Sequence, residues 1–297
     1  MPDLVACIGG CHIDSTALVG GDVVLGSSNP ASVTRQPGGV ATNVARTLAA
    51  LGVDVVLAGM VGGDAAGDAL VAGLADEGIR VDGLARVDHP TAEYTAVVDG
   101  AGDLVVGVAA MEIYDRLDDS WAESVLPVLA EADIWVLDAN PTPVALERLC
   151  ASRPGLLLGD PVSVAKAHRF VPLLDRFDIV FPDRGELAVL AGGAGPVDEL
   201  VGSVAARCGV VATLGAEGVV VATPGLEGRF PAIPPAVMVD PTGAGDALLG
   251  GWVAGTVQGS DPLRLGLAAA SVVVEQRGAV PPDLGERIRP RLQDRRL

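Results

Sequence analysis

The sequence predicts an α/β fold in which a mostly parallel central sheet is covered by helices on both faces. Short apolar runs alternate with segments of helical periodicity along most of the 297 residues. Buried parallel strands read as continuous apolar runs and need crossover helices between them. Two segments, 15–36 and 91–110, break this rhythm with polar–apolar alternation and frequent glycine. We expect them to form a small sheet that covers a cleft as a lid.

The apolar runs and the helical periodicity locate the elements in chain order. The predicted strands are Leu4–Ile8, Val53–Ala58, Ile134–Leu137, Leu156–Leu158, Ile179–Phe181, Val210–Thr213 and Gly218–Ala222. The predicted helices are Ala41–Leu51, Gly67–Gly78, Ser120–Ala130, Pro143–Cys150, Glu186–Ala191, Val197–Arg207, Asp246–Thr256 and Pro262–Gln276.

The interrupting segments and the C-terminal end have local patterns of their own. Residues Asp99-Gly100-Ala101-Gly102-Asp103 separate two alternating runs and predict a hairpin turn. From this alternation alone, two surface hairpins are the simpler interpretation of the lid segments. The charged tail 285–297 predicts a solvated helix or a frayed end.

The composition argues against some classes of function. Lysine and arginine number 20 against 38 aspartate and glutamate, for a formal net charge of −18. This balance argues against binding to nucleic acid or to an anionic membrane. The chain shows no apolar run of membrane-spanning length and no basic leader, so we expect one soluble, cytoplasmic domain over 1–297. Its four cysteines and three histidines are scattered, which predicts buried thiols and no metal set.

Residues 240–255 carry the strongest chemical pattern. Gly243, Ala244 and Gly245 let backbone N–H groups converge where a helix begins, and this arrangement favours an anion. Asp246 follows in the first helical turn. A carboxylate beside an anion hole can take a proton from a hydroxyl while the hole stabilises a transferring phosphoryl group. The alternative is a capped helix with a flexible approach.

A second pattern suits a ligand with vicinal hydroxyls. Gly38 and Gly39 allow a ligand to lie on the backbone, and Asn43 follows one turn later with both a donor and an acceptor. Asp14, after the first strand, adds acceptor oxygens at the edge of the sheet where ligands bind in open α/β proteins. An ordinary loop-to-helix turn is the alternative for the glycine pair.

These motifs, in this order, resemble the signatures of the ribokinase-like (PfkB) family of carbohydrate and nucleoside kinases. The resemblance implies a three-layer sandwich with a β-sheet lid, a homodimer formed through that lid, and a small-molecule sugar or nucleoside substrate. It assigns Asp246 as the catalytic base, Gly243, Ala244 and Gly245 as the anion hole, and Asp14, Gly38, Gly39 and Asn43 as substrate ligands.

The same resemblance implies ATP, Mg²⁺ and K⁺ as cofactors. The string Thr213-Leu-Gly215-Ala-Glu-Gly218 is similar to the family's nucleotide-binding turn. Residues 182–186 are similar to its Asn-x-x-Glu motif, with Asp183 in place of the usual asparagine and Glu186 holding Mg²⁺ through water. Asp240 and Thr242 flank the monovalent-cation loop.

Within the family, shorter strings resemble pseudouridine kinases, which implies phosphorylation of the 5′-hydroxyl of pseudouridine. These strings are Ser28-Asn29-Pro30, residues 91–94, Asp138-Ala139-Asn140 and residues 160–166. They assign Asn29, Tyr94, Thr95 and Asn140 to the substrate and Lys166 to the nucleotide. The alternatives are a ribokinase or another sugar kinase, and, in a different class, a catalytically silent sensor. Retention of Asp246 argues against a sensor, which needs no base.

Overall fold

The computed structural model describes residues 4–153, 155–278 and 280–293. Nine strands form the larger sheet, in the spatial order β13-β12-β11-β10-β9-β8-β1-β4-β5. They are β1 Val5–Ile8, β4 Val55–Gly62, β5 Arg80–Val87, β8 Ile134–Asp138, β9 Leu156–Asp160, β10 Ile179–Val180, β11 Gly209–Thr213, β12 Val219–Thr223 and β13 Leu226–Phe230.

The helices cover this sheet, and the predicted α/β class is confirmed. They are α1 Val40–Ala50, α2 Ala65–Asp76, α3 Asp119–Leu129, α4 Pro143–Ser152, α5 Val164–Ala167, α6 Arg184–Leu190, α7 Val197–Ala205, α8 Ala244–Gln258, α9 Pro262–Val273, α10 Leu284–Arg287 and α11 Arg289–Gln293.

Pairing within the large sheet brings the C-terminal ends of its central strands to one edge. β1 pairs in parallel with β4 and with β8, and β8 pairs in parallel with β9. Only β12 runs in the opposite direction, and it pairs antiparallel with β11 and β13 at one end of the sheet. Apolar layers lie on both faces: one contains Trp252 of α8 and the other contains Trp135 and Phe170. Burial on both faces explains the continuous apolar runs of the sequence.

The two interrupting segments form one separate sheet rather than two independent hairpins. Its strands are β2 His12–Val19, β3 Ala31–Gly38, β6 Glu93–Val98 and β7 Leu104–Ala110, in the order β3-β2-β6-β7. The central pair, β2 and β6, is parallel and joins the two segments. Every residue of the edge strand β7 is exposed. The predicted second sheet is therefore present, and it begins slightly earlier, at His12.

Two strands were not predicted, and both lie at the ends of the large sheet. β5 contains two arginines and an aspartate, and β13 contains Glu227, Gly228 and Arg229. An end strand has one neighbour and tolerates such residues, so it lacks the apolar run by which buried strands are recognised.

The predicted C-terminal helix is confirmed within the described residues, as α10 and α11, but it is only partly solvated. Leu284 and Ile288 are buried, and Arg287 and Arg291 both pair with Glu275. These contacts hold α10 and α11 against the protein, whereas a solvated or frayed end was expected. Residues 294–297 lie outside the described part of the chain. Helix α9 ends at Val273, three residues before the predicted end. There the Val274 carbonyl accepts hydrogen bonds from the N–H groups of Val239 and Asp240.

The four cysteines are buried free thiols, as expected. Burial raises the pKa of the Cys11 thiol to about 12, so the thiol is protonated at neutral pH. Among the described residues, no helix is both long and apolar enough to cross a bilayer.

Candidate active site

The start of helix α8 has the geometry expected of an anion hole. Gly243 precedes the helix in the left-handed conformation, with φ 79° and ψ 2°. Glycine adopts this conformation without the steric penalty that a side chain would bring. The N–H of Ala244 makes a long turn bond of 3.3 Å to the Pro241 carbonyl. The N–H groups of the first turn, including that of Gly245, have no acceptor within the helix, and they point outward from its N-terminus.

Asp246 in this first turn is bonded to Asn43 of helix α1. The Asn43 Nδ2 donates to Asp246 Oδ2 at 2.8 Å, although the two residues are 203 positions apart. Asn43 is only 5% exposed, and its Oδ1 has no hydrogen-bond partner within the described residues. A buried acceptor without a partner is uncommon in folded proteins. It is explained if a substrate hydroxyl donates to Asn43 while standing next to Asp246.

The environment of Asp246 raises the pKa of its carboxyl group and so makes the carboxylate a stronger base. Burial raises the pKa of Asp246 to about 6, the Asn43 hydrogen bond opposes that rise, and the charges of Asp138 and Asp14 add to it. General bases work best when their pKa is near the working pH.

Asp14 and the glycine pair meet where the lid joins the large sheet. A Cβ at Gly38 would lie 2.3 Å from Asp14 Oδ2, and a Cβ at Gly39 would lie 2.3 Å from the Gly10 carbonyl oxygen. Gly39 also has a φ of +101°. Gly39 therefore requires glycine, whereas a side chain at Gly38 would displace the Asp14 carboxylate. The His12 ring bridges Asp14 Oδ1, at 3.1 Å, and the Tyr114 hydroxyl, at 2.8 Å.

Asp138, at the end of β8, is the central acceptor of this region. Its side chain is completely buried and accepts from the N–H groups of Gly10 and Asn140 at 2.8 Å and of Ala41 at 3.3 Å. It also accepts from Asn140 Nδ2 at 2.9 Å. Burial raises the pKa of Asp138, and these hydrogen bonds oppose the rise. No role is predicted for Asp138 from the sequence, although an aspartate that ends an apolar strand is a signal that the sequence carries.

Lys166, which was predicted to bind the nucleotide, lies beside Asn140, one of the predicted substrate residues. Its Nζ donates to Asn140 Oδ1 at 2.5 Å and lies 5.7 Å from the centre of the Tyr114 ring. Helix α5 follows β9, whose neighbour β8 leads to Asn140, so the fold places the two side chains side by side. Burial lowers the pKa of Lys166. Asn140 is bonded on both sides of its amide, to Lys166 and to Asp138, which suits a positioning role.

A group of carboxylates lies at the same edge of the sheet. Asp183 caps α6, and its Oδ1 accepts from the Glu186 N–H while Glu186 Oε2 accepts from the Asp183 N–H. Aspartate and asparagine are equally good caps, which accounts for Asp183 in a position where asparagine is usual. Burial raises the pKa of Glu186 to about 7. Burial, followed by the charges of Asp246 and Glu186, raises the pKa of Asp160.

This charge arrangement fits a divalent cation held mainly through water. The charges of Asp246 and Glu186 add to the rise in the pKa of Asp160, and the charge of Asp246 adds to that of Glu186, so a cation between these carboxylates would relieve the repulsion. The described residues contain no group of three or more side chains close enough to ligate a metal ion directly. Mg²⁺ usually keeps several waters and takes only one or two protein carboxylates.

A cavity of about 620 Å³ lies beside the start of α8. It brings together three motifs that are far apart in sequence: the 213–218 turn, the 183–185 segment and the anion hole. Gly218 must be glycine, because its φ is +94° and a Cβ there would lie 2.1 Å from the Phe230 carbonyl oxygen. Among the predicted residues, those lining the cavity are Asp183, Thr213, Gly215, Gly218, Ala244 and Gly245.

The structure separates some of the predicted lid residues. Tyr94 pairs with Asp14 across β2 and β6, whereas Thr95 pairs with Ser15. Successive strand residues point to opposite faces, so Tyr94 shares the face of Asp14 and Thr95 does not. Tyr94 and Thr95, both predicted to bind the substrate, therefore lie on opposite faces of the lid sheet. The Asn29 amide bonds to the backbone of its own loop, at Val24 and Ser27, and its described contacts stabilise that loop.

The loop before the anion hole is built on Asp240. Its Oδ1 accepts from the Thr242 N–H at 2.9 Å, and the Asp240 N–H donates to the Val274 carbonyl. The loop is therefore tied to the end of helix α9. The predicted cation ligands, Asp240 and Thr242, are adjacent in space.

Comparison with known proteins identifies the family that this geometry represents. A family model described as pfkB family carbohydrate kinase matches residues 2–284. The chain belongs to this family. It is 27% identical over 293 residues to the pseudouridine kinase of Escherichia coli, covering 95% of this chain and 94% of that protein.

Solved structures of other pfkB-like proteins share the fold over nearly the whole chain. A carbohydrate kinase from Agrobacterium tumefaciens aligns with a TM-score of 0.84 and 28% identity, covering 98% of this chain and 97% of that one. An Arabidopsis thaliana ribokinase complexed with ribose and ATP aligns with a TM-score of 0.81 and 22% identity, over 97% and 99% of the two chains. The ribokinase-like fold is thereby confirmed.

Proposed function

We propose that this pfkB-family kinase uses ATP and Mg²⁺ to phosphorylate the 5′-hydroxyl of a nucleoside, and that pseudouridine is its preferred substrate. The observation that carries the proposal is the contact between Asp246 and Asn43 at the start of α8. It places a base of raised pKa beside an unpaired buried acceptor and next to the anion hole. A catalytically silent sensor has no need for this combination of a base, a substrate acceptor and an anion hole.

In the proposed reaction, Asn43 and Asp14 orient the ribosyl hydroxyls against the backbone of Gly38 and Gly39. Asp246 accepts the proton of the 5′-hydroxyl as that oxygen attacks the γ-phosphorus in line, and the bond to the bridging oxygen of ADP breaks. The N–H groups at the start of α8 stabilise charge on the transferring phosphoryl group. The lid excludes water from the cleft.

Glu186 is the residue best placed to hold Mg²⁺, through water, with Asp160 nearby. When bound, the ion neutralises phosphate charge during transfer. Because burial raises the pKa of Glu186 to about 7, protons compete with the cation for this carboxylate near neutral pH.

We expect pseudouridine to exceed uridine and free ribose in kcat/KM. The support is the similarity to a pseudouridine kinase over 95% of the chain. Pseudouridine carries one more imide N–H than uridine, and an acceptor that meets it is left unpaired with uridine. A missed buried hydrogen bond costs about 1–3 kcal/mol, which corresponds to a preference of roughly ten- to a hundredfold.

A side-by-side assay of phosphate transfer from ATP to pseudouridine, uridine, adenosine and ribose tests this order. Uridine is the matched control because its ribose is the same. Faster turnover of ribose or adenosine would leave the kinase assignment intact and would contradict the pseudouridine proposal. In that case a ribokinase or another sugar kinase of the family becomes the better assignment.

We further propose that K⁺ activates the enzyme by ordering the loop of Asp240 and Thr242. This loop leads directly into the anion hole, and its carboxylate and carbonyl oxygens suit a large, weakly hydrated cation. We expect a higher kcat in KCl than in tetramethylammonium chloride, with a smaller difference in Asp240→Ala. Pro241 stiffens the loop and therefore limits the increase in kcat that K⁺ produces. Equal rates of the wild-type chain in the two salts would refute the activation.

The lid face supports a proposed homodimer. Leu104, Val106 and Val108 of the edge strand β7, and Val33 of the opposite edge strand β3, are 47–59% exposed, which is unusual for apolar residues on an open sheet. We expect Val106→Asp to shift the protein to monomer in light-scattering chromatography. Val144→Asp, at an equally exposed apolar position on α4, is the control and leaves the dimer intact. A wild-type chain that elutes as a monomer at all concentrations would remove the proposal.

A further inference from the structure

Ser271 on helix α9 carries a hydroxyl that the fold leaves without a partner. The residue borders the 620 Å³ cavity beside the anion hole and is only 4% exposed. Its Oγ is buried, and it makes no hydrogen bond within the described part of the protein. The surrounding cavity wall is otherwise apolar and consists of Ile233, Leu248, Leu267, Ala270 and Val274.

The fold gives no structural reason for this hydroxyl. An unpaired buried hydroxyl destabilises the protein that carries it. The three residues before Ser271 are alanines, so the helix accepts a small apolar side chain in this region. A serine at this position is explained when a bound ligand completes its hydrogen bond.

The cavity has two chemically different ends, and Ser271 lies at the apolar one. The backbone of Ala244 and Gly245 and the 213–218 turn form the end that suits phosphates. The side chains that α8 and α9 contribute to the wall, Ser271 apart, are apolar, which suits a heteroaromatic ring, and such pockets usually contain a few polar groups that orient the ligand. A serine hydroxyl both donates and accepts, so it can meet a ring nitrogen or an exocyclic group of a base.

We propose that Ser271 binds the base of the nucleotide and is its polar anchor in an otherwise apolar slot. The inference rests on the proposed function, in which this cavity holds ATP. Ser271 contributes affinity for the base and takes no part in phosphoryl transfer.

Calorimetric titration of Ser271→Ala with ADP and with inorganic tripolyphosphate tests the assignment. Loss of one hydrogen bond predicts a Kd for ADP roughly 3- to 10-fold higher, with the Kd for tripolyphosphate unchanged. The midpoint of urea unfolding without nucleotide is expected to stay equal or to rise, because the unpaired group is gone. Ser203→Ala is the matched control, since Ser203 lies exposed on α7 and its Oγ donates to the Glu199 carbonyl.

The outcomes separate this inference from the proposed function. An unchanged Kd for ADP in Ser271→Ala, or equal weakening of ADP and tripolyphosphate, overturns the assignment of Ser271 to the base. A wild-type chain that binds neither ADP nor tripolyphosphate overturns the proposed function as well.

Discussion

Replacing Asp246 with asparagine is expected to lower kcat by roughly 10²- to 10⁴-fold, the usual contribution of a general base. The fold and the nucleotide affinity should be retained, because the new amide oxygen can still accept the hydrogen bond from Asn43 Nδ2. Steady-state assays give the loss in kcat, and calorimetry with ADP gives the affinity. Asp68→Asn is the control, since Asp68 lies in the first turn of α2 outside the site. Turnover of Asp246→Asn within a few-fold of wild type would mean that Asp246 only caps the helix.

The pH profile provides an independent reading of the same residue. The base must be deprotonated to accept the 5′-hydroxyl proton, and burial raises the pKa of Asp246 to about 6. Wild-type kcat/KM should therefore be maximal above this pH and fall as the pH drops through about 6. At saturating Mg²⁺, which keeps Glu186 deprotonated, the residual activity of Asp246→Asn should lack this acid limb. A wild-type profile that stays flat down to pH 4.5 would contradict the raised pKa.

Replacing Asp138 with alanine is expected to produce the largest loss of stability among the site residues. The change leaves buried donors of Gly10, Ala41 and Asn140 without their acceptor. Each unsatisfied buried group costs about 1–3 kcal/mol, and relief of the buried charge offsets part of the sum, so we expect a decrease of about 2–4 kcal/mol in the free energy of unfolding.

Urea denaturation followed by circular dichroism measures this decrease. Asp133→Ala is the matched control, because Asp133 is an exposed aspartate just before β8, and its removal should change stability by less than about 0.5 kcal/mol. Asp138→Asn keeps one acceptor oxygen and should fall between the two variants. Equal stability of Asp138→Ala and Asp133→Ala would show that the four hydrogen bonds contribute nothing net.

The layers of the fold and the reactive ends of its elements could be predicted from the sequence. Strands such as Ile134–Asp138 are buried on both faces, so their apolar runs stand out from the sequence. Gly39 and Gly243 mark backbone with a positive φ that larger residues adopt only with strain, and Gly38 marks the close approach of the Asp14 carboxylate. Signals of this kind are local, because the apolar character of a run and the ability of glycine to adopt a positive φ are properties of the residues themselves.

The contacts between side chains that are distant in sequence are known only from the tertiary structure. The bond between Asn43 and Asp246 joins residues 203 positions apart, and it identifies an unpaired acceptor that no sequence pattern could show. The same holds for Lys166, which the strand order β8-β9 places beside Asn140, and for Thr95, which the register of β6 turns away from Asp14. Hydrogen-bond partners depend on distances of a few tenths of an ångström between elements, and those distances are set by packing of the whole chain.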